Sequence, residues 1–210
     1  MSAPSDEVLR TACEDLSSRD PALARAYSEI GLPVWRRGEA SYANLARIIT
    51  YQHVSTKAAS AIWQRVIDRH PAMTPNCILG DDEAGLRSCG LSGPKIRHLT
   101  SIAQAVKDDV LNFEALCQAP LDAARATLIS VKGIGPWTAE IFLMNAVGKL
   151  DAFPEADVGL MEAYKQLSDA DERLSAKAFT GQAEAWRPYR GVAAHLLWGW
   201  INMMRDKNYP

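Results

Sequence analysis

A turn of sequence Gly-Ile-Gly-Pro, at residues 133–136, constrains this chain of 210 residues more than any other feature. An apolar run with helical spacing ends at Val131. Pro136 suits the first turn of a second helix, because its φ angle is preset and it has no amide hydrogen to lose. The two glycines allow backbone conformations and close approaches that other residues resist. We therefore predict a helix-hairpin-helix over about residues 121–148, with Ile134 packed between its helices.

Helical spacing of apolar residues also dominates the rest of the chain, and no segment alternates polar and apolar residues as a strand would. Helix-start signals recur: Asp20 precedes Pro21, Ser55 precedes an apolar helical run, and Ser92 precedes another. The last helix begins near Tyr189 and is almost wholly apolar, which predicts a central position in the core. We predict an all-α fold of about ten or eleven helices, without a low-complexity linker.

Composition limits the functional classes. The formal net charge is −2, so the chain lacks the basic surplus of a strong non-specific DNA binder. Four scattered cysteines do not form the close pairs of zinc or iron–sulfur sites, and we predict that they are reduced. No apolar run reaches the length of a membrane span, and the first residues lack a secretory pattern. We predict a cytoplasmic protein that does not bind a membrane.

The hairpin also has a chemical meaning. The first amides of a helix have no partner within it and attract anions, so those around Gly135 and Trp137 are candidates for binding a phosphate. Three acids follow the second helix in a short loop, Asp151, Glu155 and Asp157. A phosphate-binding hairpin with an acid at a fixed distance suggests an enzyme that acts on DNA at a sugar carbon. Asp157 can also cap the next helix, and the two roles can coexist.

Two segments, VKGIGPWTAEIFLM at 131–144 and DAFPEADVGL at 151–160, resemble the helix-hairpin-helix DNA glycosylases with a Gly/Pro-rich loop and an aspartate, the HhH-GPD superfamily. The bacterial 3-methyladenine DNA glycosylase II, or AlkA-type, branch is the most similar. Segments 43–63, 89–106 and 185–198 resemble other helices of that branch, so the resemblance covers about residues 20–202.

This resemblance implies two helical lobes that flank a DNA-binding cleft. It implies one glycosylase unit over residues 1–210, without the β-rich N-terminal subdomain of the AlkA type. The expected activity is hydrolysis of the N-glycosidic bond of alkylated purines, 3-methyladenine and also 7-methylguanine, in base excision repair. The expected partner is damaged double-stranded DNA, bound by a monomer.

The resemblance assigns the catalytic role to Asp157, whose carboxylate would stabilise an oxocarbenium-like sugar and orient or deprotonate a water. Family members that also nick the strand have a lysine where this chain has Trp137, and Lys132 does not match that position. The resemblance therefore implies a monofunctional enzyme that leaves an abasic site. An iron–sulfur cluster is not expected, because no cysteine follows Cys117.

A base inside duplex DNA must be flipped out and held by stacking. The resemblance places Trp137 and Tyr189 in the base pocket, and on weaker grounds Tyr51 and Trp35, although each of these rings can also belong to the core. Three other tryptophans are assigned to the core outright, namely Trp63, Trp198 and Trp200.

The remaining expectations concern DNA and ions. Besides the hairpin residues Gly133, Ile134 and Gly135, the expected DNA contacts are Lys132, Lys95, Gln52 and a wedge at Leu91, with Gly93 as the other candidate for the wedge position. Gln52 can instead have a surface or core hydrogen-bonding role. The main-chain carbonyls of Ile129, Val131 and Ile134 are expected to bind Na⁺ or K⁺, and no other cofactor is required.

Two rival hypotheses stay open. One is a glycosylase of other specificity, for example for ethenoadenine or hypoxanthine, because His53 and Lys132 depart from the family's usual residues. The other is a non-catalytic protein that binds lesions with the same scaffold. A helical protein-interaction domain is a third and weaker alternative.

Overall fold

The computed structural model describes residues 4–207, which form thirteen α-helices and no strand. The predicted all-α class is therefore confirmed. No helix in this range has the length and apolar character that crossing a membrane requires. The helices are α1 Asp6–Arg19, α2 Pro21–Ile30, α3 Tyr42–Tyr51, α4 Thr56–Arg69, α5 Pro75–Leu79, α6 Glu83–Ser88, α7 Gly93–Lys107, α8 Phe113–Gln118, α9 Leu121–Ser130, α10 Pro136–Phe142, α11 Val158–Leu167, α12 Ala176–Ala183 and α13 Arg190–Lys207. A π-helical turn, Leu143–Val147, continues α10, and a 3-10 turn, Glu184–Trp186, follows α12.

The prediction of ten or eleven helices was too low because α5, α6 and α8 contain only five or six residues each. Helices this short span less than two turns and show no clear apolar period. The predicted helix starts are confirmed: Asp20 and Ser55 cap α2 and α4 with side-chain hydrogen bonds. Ser92 occupies the N-cap position of α7 without such a bond.

The chain divides into two compact helical units. Unit 1 combines the chain up to Arg37 with the chain from Gly148 onward, and unit 2 is the continuous segment Gly38–Val147. The hairpin therefore belongs to unit 2, whereas Asp157 belongs to unit 1. One glycosylase unit over residues 1–210 stays a prediction of the sequence.

Asp20 joins the two chain segments of unit 1. It is 4% exposed, and its Oδ1 caps α2 by accepting the amide of Ala22 at 2.9 Å. Its Oδ2 accepts hydrogen bonds from Tyr164 Oη, Gln182 Nε2 and Trp186 Nε1 at 3.2, 3.1 and 2.8 Å. A buried carboxylate is tolerated only when it is hydrogen-bonded in this way, so these donors fix α2 against the C-terminal segment.

Helix α7 lies at the centre of unit 2 and packs against α3, α5 and α6. Its buried residues Ile96, Leu99, Ile102 and Ala103 form the apolar stripe expected from the sequence. The buried Tyr42 hydroxyl of α3 donates to the Leu99 carbonyl at 3.0 Å. These contacts hold α7 beneath the hairpin described next.

Candidate active site

The hairpin between α9 and α10 is closed by the Ile134 amide, which donates to the Val131 carbonyl at 3.0 Å. Ile134 is 4% exposed, so its side chain is buried as predicted. Gly133 has a φ of +103°, and a Cβ at this position would lie 2.7 Å from His98 Cβ of α7. Both the backbone conformation and the close approach of α7 therefore require glycine at residue 133.

Gly135 is a glycine for a different reason. Its φ is −84°, which any residue can adopt, and it occupies the N-cap position of α10. A Cβ built on Gly135 meets nothing within 4 Å, and the residue is exposed. Nothing in unit 2 requires glycine here, so its absent side chain leaves the backbone open to a group from outside.

Polar side chains hold α10 in place. Arg125 of α9 forms an ion pair with Glu140, which is 5% exposed, and Nη2–Oε2 measures 3.3 Å. Gln52, just after α3, donates from Nε2 to the hydroxyl of the buried Thr138. The structure thus shows Gln52 in the hydrogen-bonding role that the sequence left open, and this bond occupies the side chain predicted to enter the minor groove.

One predicted DNA contact needs correction, and a second is engaged within the protein. Leu91 is 3% exposed and packs in the core of unit 2, so it cannot serve as a wedge without leaving that core. Lys95 Nζ donates to the Thr50 carbonyl at 2.7 Å, and partial burial lowers the pKa of its ammonium group. Lys95 therefore ties α7 to the end of α3, and its phosphate contact, for which two N–H donors are left, stays a prediction. Lys132, another predicted DNA contact, is exposed, and so is the cation Arg97 on α7.

Carbonyls are the hairpin's only predicted metal ligands. The carbonyl of Val131 already accepts the Ile134 amide, and a carbonyl oxygen has a second lone pair for a cation. Ile129 is exposed and lies in the last turn of α9, where carbonyls lack helical partners. Hard oxygen ligands of this kind suit Na⁺ or K⁺. Among residues 4–207 no group of His, Cys, Asp and Glu side chains could hold a metal ion.

Asp157 stands at the N-cap of α11, half-buried. Its Oδ1 accepts the Leu160 amide at 3.0 Å and the Trp198 indole Nε1 at 3.3 Å. The capping role foreseen for Asp157 is therefore present. The second donor comes from α13, so the orientation of the carboxylate is fixed from two helices, and the N-terminus of α11 favours a negative charge there.

The loop that precedes Asp157 is anchored by a buried arginine. Arg190, at the start of α13, is 3% exposed and donates from Nε and Nη2 to the two oxygens of Asp151 at 3.0 and 2.9 Å. Its Nη1 donates to Glu184 at 2.8 Å. Gly191 donates its amide to the Leu150 carbonyl at 2.7 Å. Sequence reasoning noted Asp151 among three acids but missed this bidentate partner, which holds the loop rigidly.

Trp198 is the main correction among the aromatic residues. It was assigned to the core, yet it is half-buried and its Nε1 contacts Asp157. The guanidinium Cζ of Arg36 lies 5.4 Å from the centroid of its ring. Trp200, 1% exposed, belongs to the core as predicted, whereas Trp63 is half-buried. The apolar character of α13 on every side hid the face that carries Trp198.

Trp35 is also misassigned, because it is only 7% exposed and stacks on His195 with ring centroids 4.0 Å apart. It supports the site from inside unit 1 instead of forming a wall for a base. His195 in turn stands edge-on to Trp198, at 5.8 Å and 79°. His195 therefore links the buried Trp35, on which it stacks, to the edge-on indole of Trp198, which contacts Asp157.

His195, between the two indoles, is a neutral imidazole. It is 3% exposed, its Nε2 accepts the Arg36 amide at 3.4 Å, and its Nδ1 lies 2.8 Å from the Gly191 carbonyl. The carbonyl can only accept, so Nδ1 carries the hydrogen. Burial, opposed by the Gly191 bond and aided by the Arg36 charge, lowers the pKa of His195 to about 4.

The other predicted pocket residues remain candidates. Trp137 is 37% exposed at the first turn of α10 in unit 2. Tyr51, also in unit 2, is half-buried, and the guanidinium Cζ of Arg47 lies 5.0 Å from its ring centroid. Tyr189 is half-buried in unit 1, immediately before α13. Each ring is accessible in part, as stacking on a base would require.

Comparison with known proteins agrees with these features. A family model described as "HhH-GPD superfamily base excision DNA repair protein" matches residues 46–188, which is more than half of the chain. The chain belongs to the HhH-GPD superfamily. The matched range of this HhH-GPD protein includes the hairpin, Asp157 and the Arg187–Pro188 peptide just before α13.

Individual relatives are 3-methyladenine glycosylases or bear the name AlkA. The chain is 35% identical over 170 residues to a "Probable bifunctional transcriptional activator/DNA repair enzyme AlkA" of Mycobacterium tuberculosis, over 76% of this chain and 33% of that protein. It thus spans about a third of the length of this relative.

Two solved structures are similar over nearly their whole length. A DNA-3-methyladenine glycosidase of Bacillus halodurans gives a TM-score of 0.81 at 29% identity, over 93% of this chain and 91% of that one. The Schizosaccharomyces pombe 3-methyladenine DNA glycosylase Mag1, in complex with abasic DNA, gives 0.80 at 27% identity, over 90% and 95%.

Proposed function

We propose that this HhH-GPD protein is a monofunctional DNA glycosylase that hydrolyses the N-glycosidic bond of alkylated purines and leaves an abasic site. The single observation that carries the proposal is the placement of Asp157, a carboxylate oriented by donors from two helices beside a half-exposed tryptophan. Family membership and the names of the relatives support the same activity. Both units act on one DNA molecule, as a single glycosylase unit over residues 1–210.

In this proposal unit 2 holds the DNA strand and unit 1 carries out the chemistry. The open backbone at Gly135 and the first amides of α10 bind a phosphate. Two exposed cations are further candidates for contacts with the DNA backbone, Lys132 in the hairpin and Arg97 on α7. A cation on the carbonyls of Ile129, Val131 and Ile134 would strengthen the attraction for the phosphate. The duplex is opened by flipping the damaged base, as enzymes that act on bases must do.

The chemical step needs one acid. As the glycosidic bond breaks, positive charge develops on the sugar, and the carboxylate of Asp157 stabilises that charge and orients or deprotonates a water for attack at the anomeric carbon. An N3- or N7-alkylated purine already carries a positive charge, so it leaves without a strong general acid. Tyr189 and Trp198, which belong to unit 1 together with Asp157, are aromatic residues that we propose stack on the base, and cation–π attraction favours such a base. Trp137 and Tyr51 of unit 2 stay candidates for stacking.

The proposal is tested by incubating the protein with methylated duplex DNA and separating the released bases by chromatography. We expect free 3-methyladenine and 7-methylguanine with intact strands. A strand break through a borohydride-trappable adduct would contradict the monofunctional assignment, since it requires an amine nucleophile. Duplexes with hypoxanthine or ethenoadenine in parallel reactions distinguish the rival specificities.

The two hairpin glycines give opposite predictions. Gly135→Ala should fold with nearly unchanged stability, because its Cβ meets nothing within 4 Å and a φ of −84° suits alanine, so the poorer N-cap costs less than about 1 kcal/mol. Its affinity for abasic duplex should fall roughly tenfold, since a methyl group displaces the phosphate from charge-assisted amide bonds. Gly133→Ala should lower the free energy of unfolding by about 1–3 kcal/mol, because of its positive φ and the clash with His98.

Affinity by fluorescence anisotropy and unfolding by thermal melting separate the two effects. Gly181→Ala in α12 is the matched control, since its Cβ also meets nothing within 4 Å. This control should leave DNA affinity unchanged. Equal affinities for Gly135→Ala and Gly181→Ala would contradict the assignment of a phosphate to the Gly135 backbone.

A further inference from the structure

A pocket of about 420 Å³ lies entirely within unit 1. The end of α2, the segment that follows it, and one side of α13 form its walls. Its residues include Val34, Arg36, His195, Trp198 and Asn202. The volume is within the range of small-molecule sites.

Trp198 connects this pocket to the proposed chemistry. The same indole lines the pocket and donates from Nε1 to Asp157 at 3.3 Å. A base whose glycosidic carbon lies beside Asp157 is therefore close to the ring of Trp198. Any charge fixed against that ring acts on the base.

Arg36 supplies such a charge. Its guanidinium Cζ lies 5.4 Å from the ring centroid of Trp198, and within residues 4–207 it forms no ion pair. The acid of the same pocket is already engaged, because Glu29 accepts from Arg25 Nε at 3.1 Å and from Trp200 Nε1 at 2.8 Å. A positive charge, that of Arg36, therefore lies over the ring of Trp198 on the pocket side, whereas the negative charge of Asp157 lies at its Nε1.

We propose that Arg36 is a specificity-determining residue, which disfavours damaged bases that carry a positive charge relative to neutral damaged bases of the same shape. The inference rests on the proposed function, since it concerns the base held beside Asp157. Two like charges several ångströms apart near a protein surface repel each other, and no direct contact is needed. Arg36 thus shifts the enzyme's range toward neutral bases, without abolishing the release of cationic ones.

The test compares two duplexes that differ only in charge, one with the cationic base 7-methylguanine and one with its neutral carbon isostere 7-methyl-7-deazaguanine. Affinities are measured in an Asp157→Asn background, so that the base stays attached. Adding Arg36→Gln should raise the ratio of affinities, cationic over neutral, by roughly three- to tenfold. Adding Arg37→Gln, which removes a neighbouring exposed arginine, should leave the ratio unchanged.

Ionic strength provides a second measurement. The effect of Arg36→Gln should shrink as salt is added, because an exposed charge is screened. An unchanged ratio, a ratio that moves toward the neutral base, or an equal shift from Arg37→Gln would overturn the proposal. Base release by the wild-type protein is measured separately, so failure of the proposed function is distinguishable from failure of the role of Arg36.

Discussion

Replacement of Asp157 by asparagine is expected to reduce base release on the order of 10²- to 10⁴-fold. Asparagine has the same shape, caps helices as well as aspartate does, and can still accept the Leu160 amide and the Trp198 indole. Only the negative charge that stabilises the developing positive sugar is lost. Single-turnover release of methylated purines from a defined duplex measures the effect.

Glu155→Gln is the matched control, because Glu155 is an exposed acid of the same loop. It should release bases at the wild-type rate, and both variants should bind abasic duplex as the wild type does. Near-normal release by Asp157→Asn would show that this carboxylate is not catalytic. Lesion affinity without base release by the wild type would instead favour the non-catalytic rival.

Acid is expected to destabilise the protein through His195. The ordinary pKa of 6.5 falls to about 4 in the folded protein, mainly because of burial. The unfolded chain therefore binds a proton below about pH 6.5, whereas the folded chain resists protonation until about pH 4. The stabilisation is complete above pH 6.5 and is lost as the pH falls through this window, by about 3 kcal/mol.

Urea unfolding at a series of pH values tests whether the free energy of unfolding falls with the pH in this way. His195→Gln should remove the steep part of the decline between about pH 6.5 and about pH 4, while His53→Asn, at an exposed residue, should keep it. An NMR titration of the His195 ring provides a direct reading of the same group. Parallel stability curves for the wild type and His195→Gln would contradict the role assigned to its burial.

Features encoded locally were predictable from the sequence. The hairpin, its glycine at residue 133, the caps at Asp20 and Ser55 and the cap at Asp157 all depend on a few consecutive residues. Local patterns of this kind specify turns and helix ends, because the relevant hydrogen bonds form within one turn.

Features set by tertiary packing were missed. Arg190 and Asp151 lie 39 residues apart, and Trp198 contacts an acid 41 residues away, so no local spacing relates them. Leu91 was assigned to DNA because the family's wedge lies in the turn before Lys95, but packing in the core decides where the Leu91 side chain goes. The hydrogen bond from Lys95 to the end of α3 is also a tertiary contact that no local pattern indicates. One signal was available: a charged Arg190 beside an apolar run requires a buried partner, and three acids lay in the preceding loop.

The hydrogen bonds of Asp20 to the later segment of unit 1 limit when unit 1 can fold during synthesis. Three donors to its carboxylate follow it by 144, 162 and 166 residues, so a nascent chain cannot complete this cluster until Trp186 has left the ribosome. Unit 2 is continuous and can fold while that happens, since domains generally fold as they emerge. The hairpin of unit 2 can therefore fold before Asp157 and its indole donor Trp198 have both been synthesised.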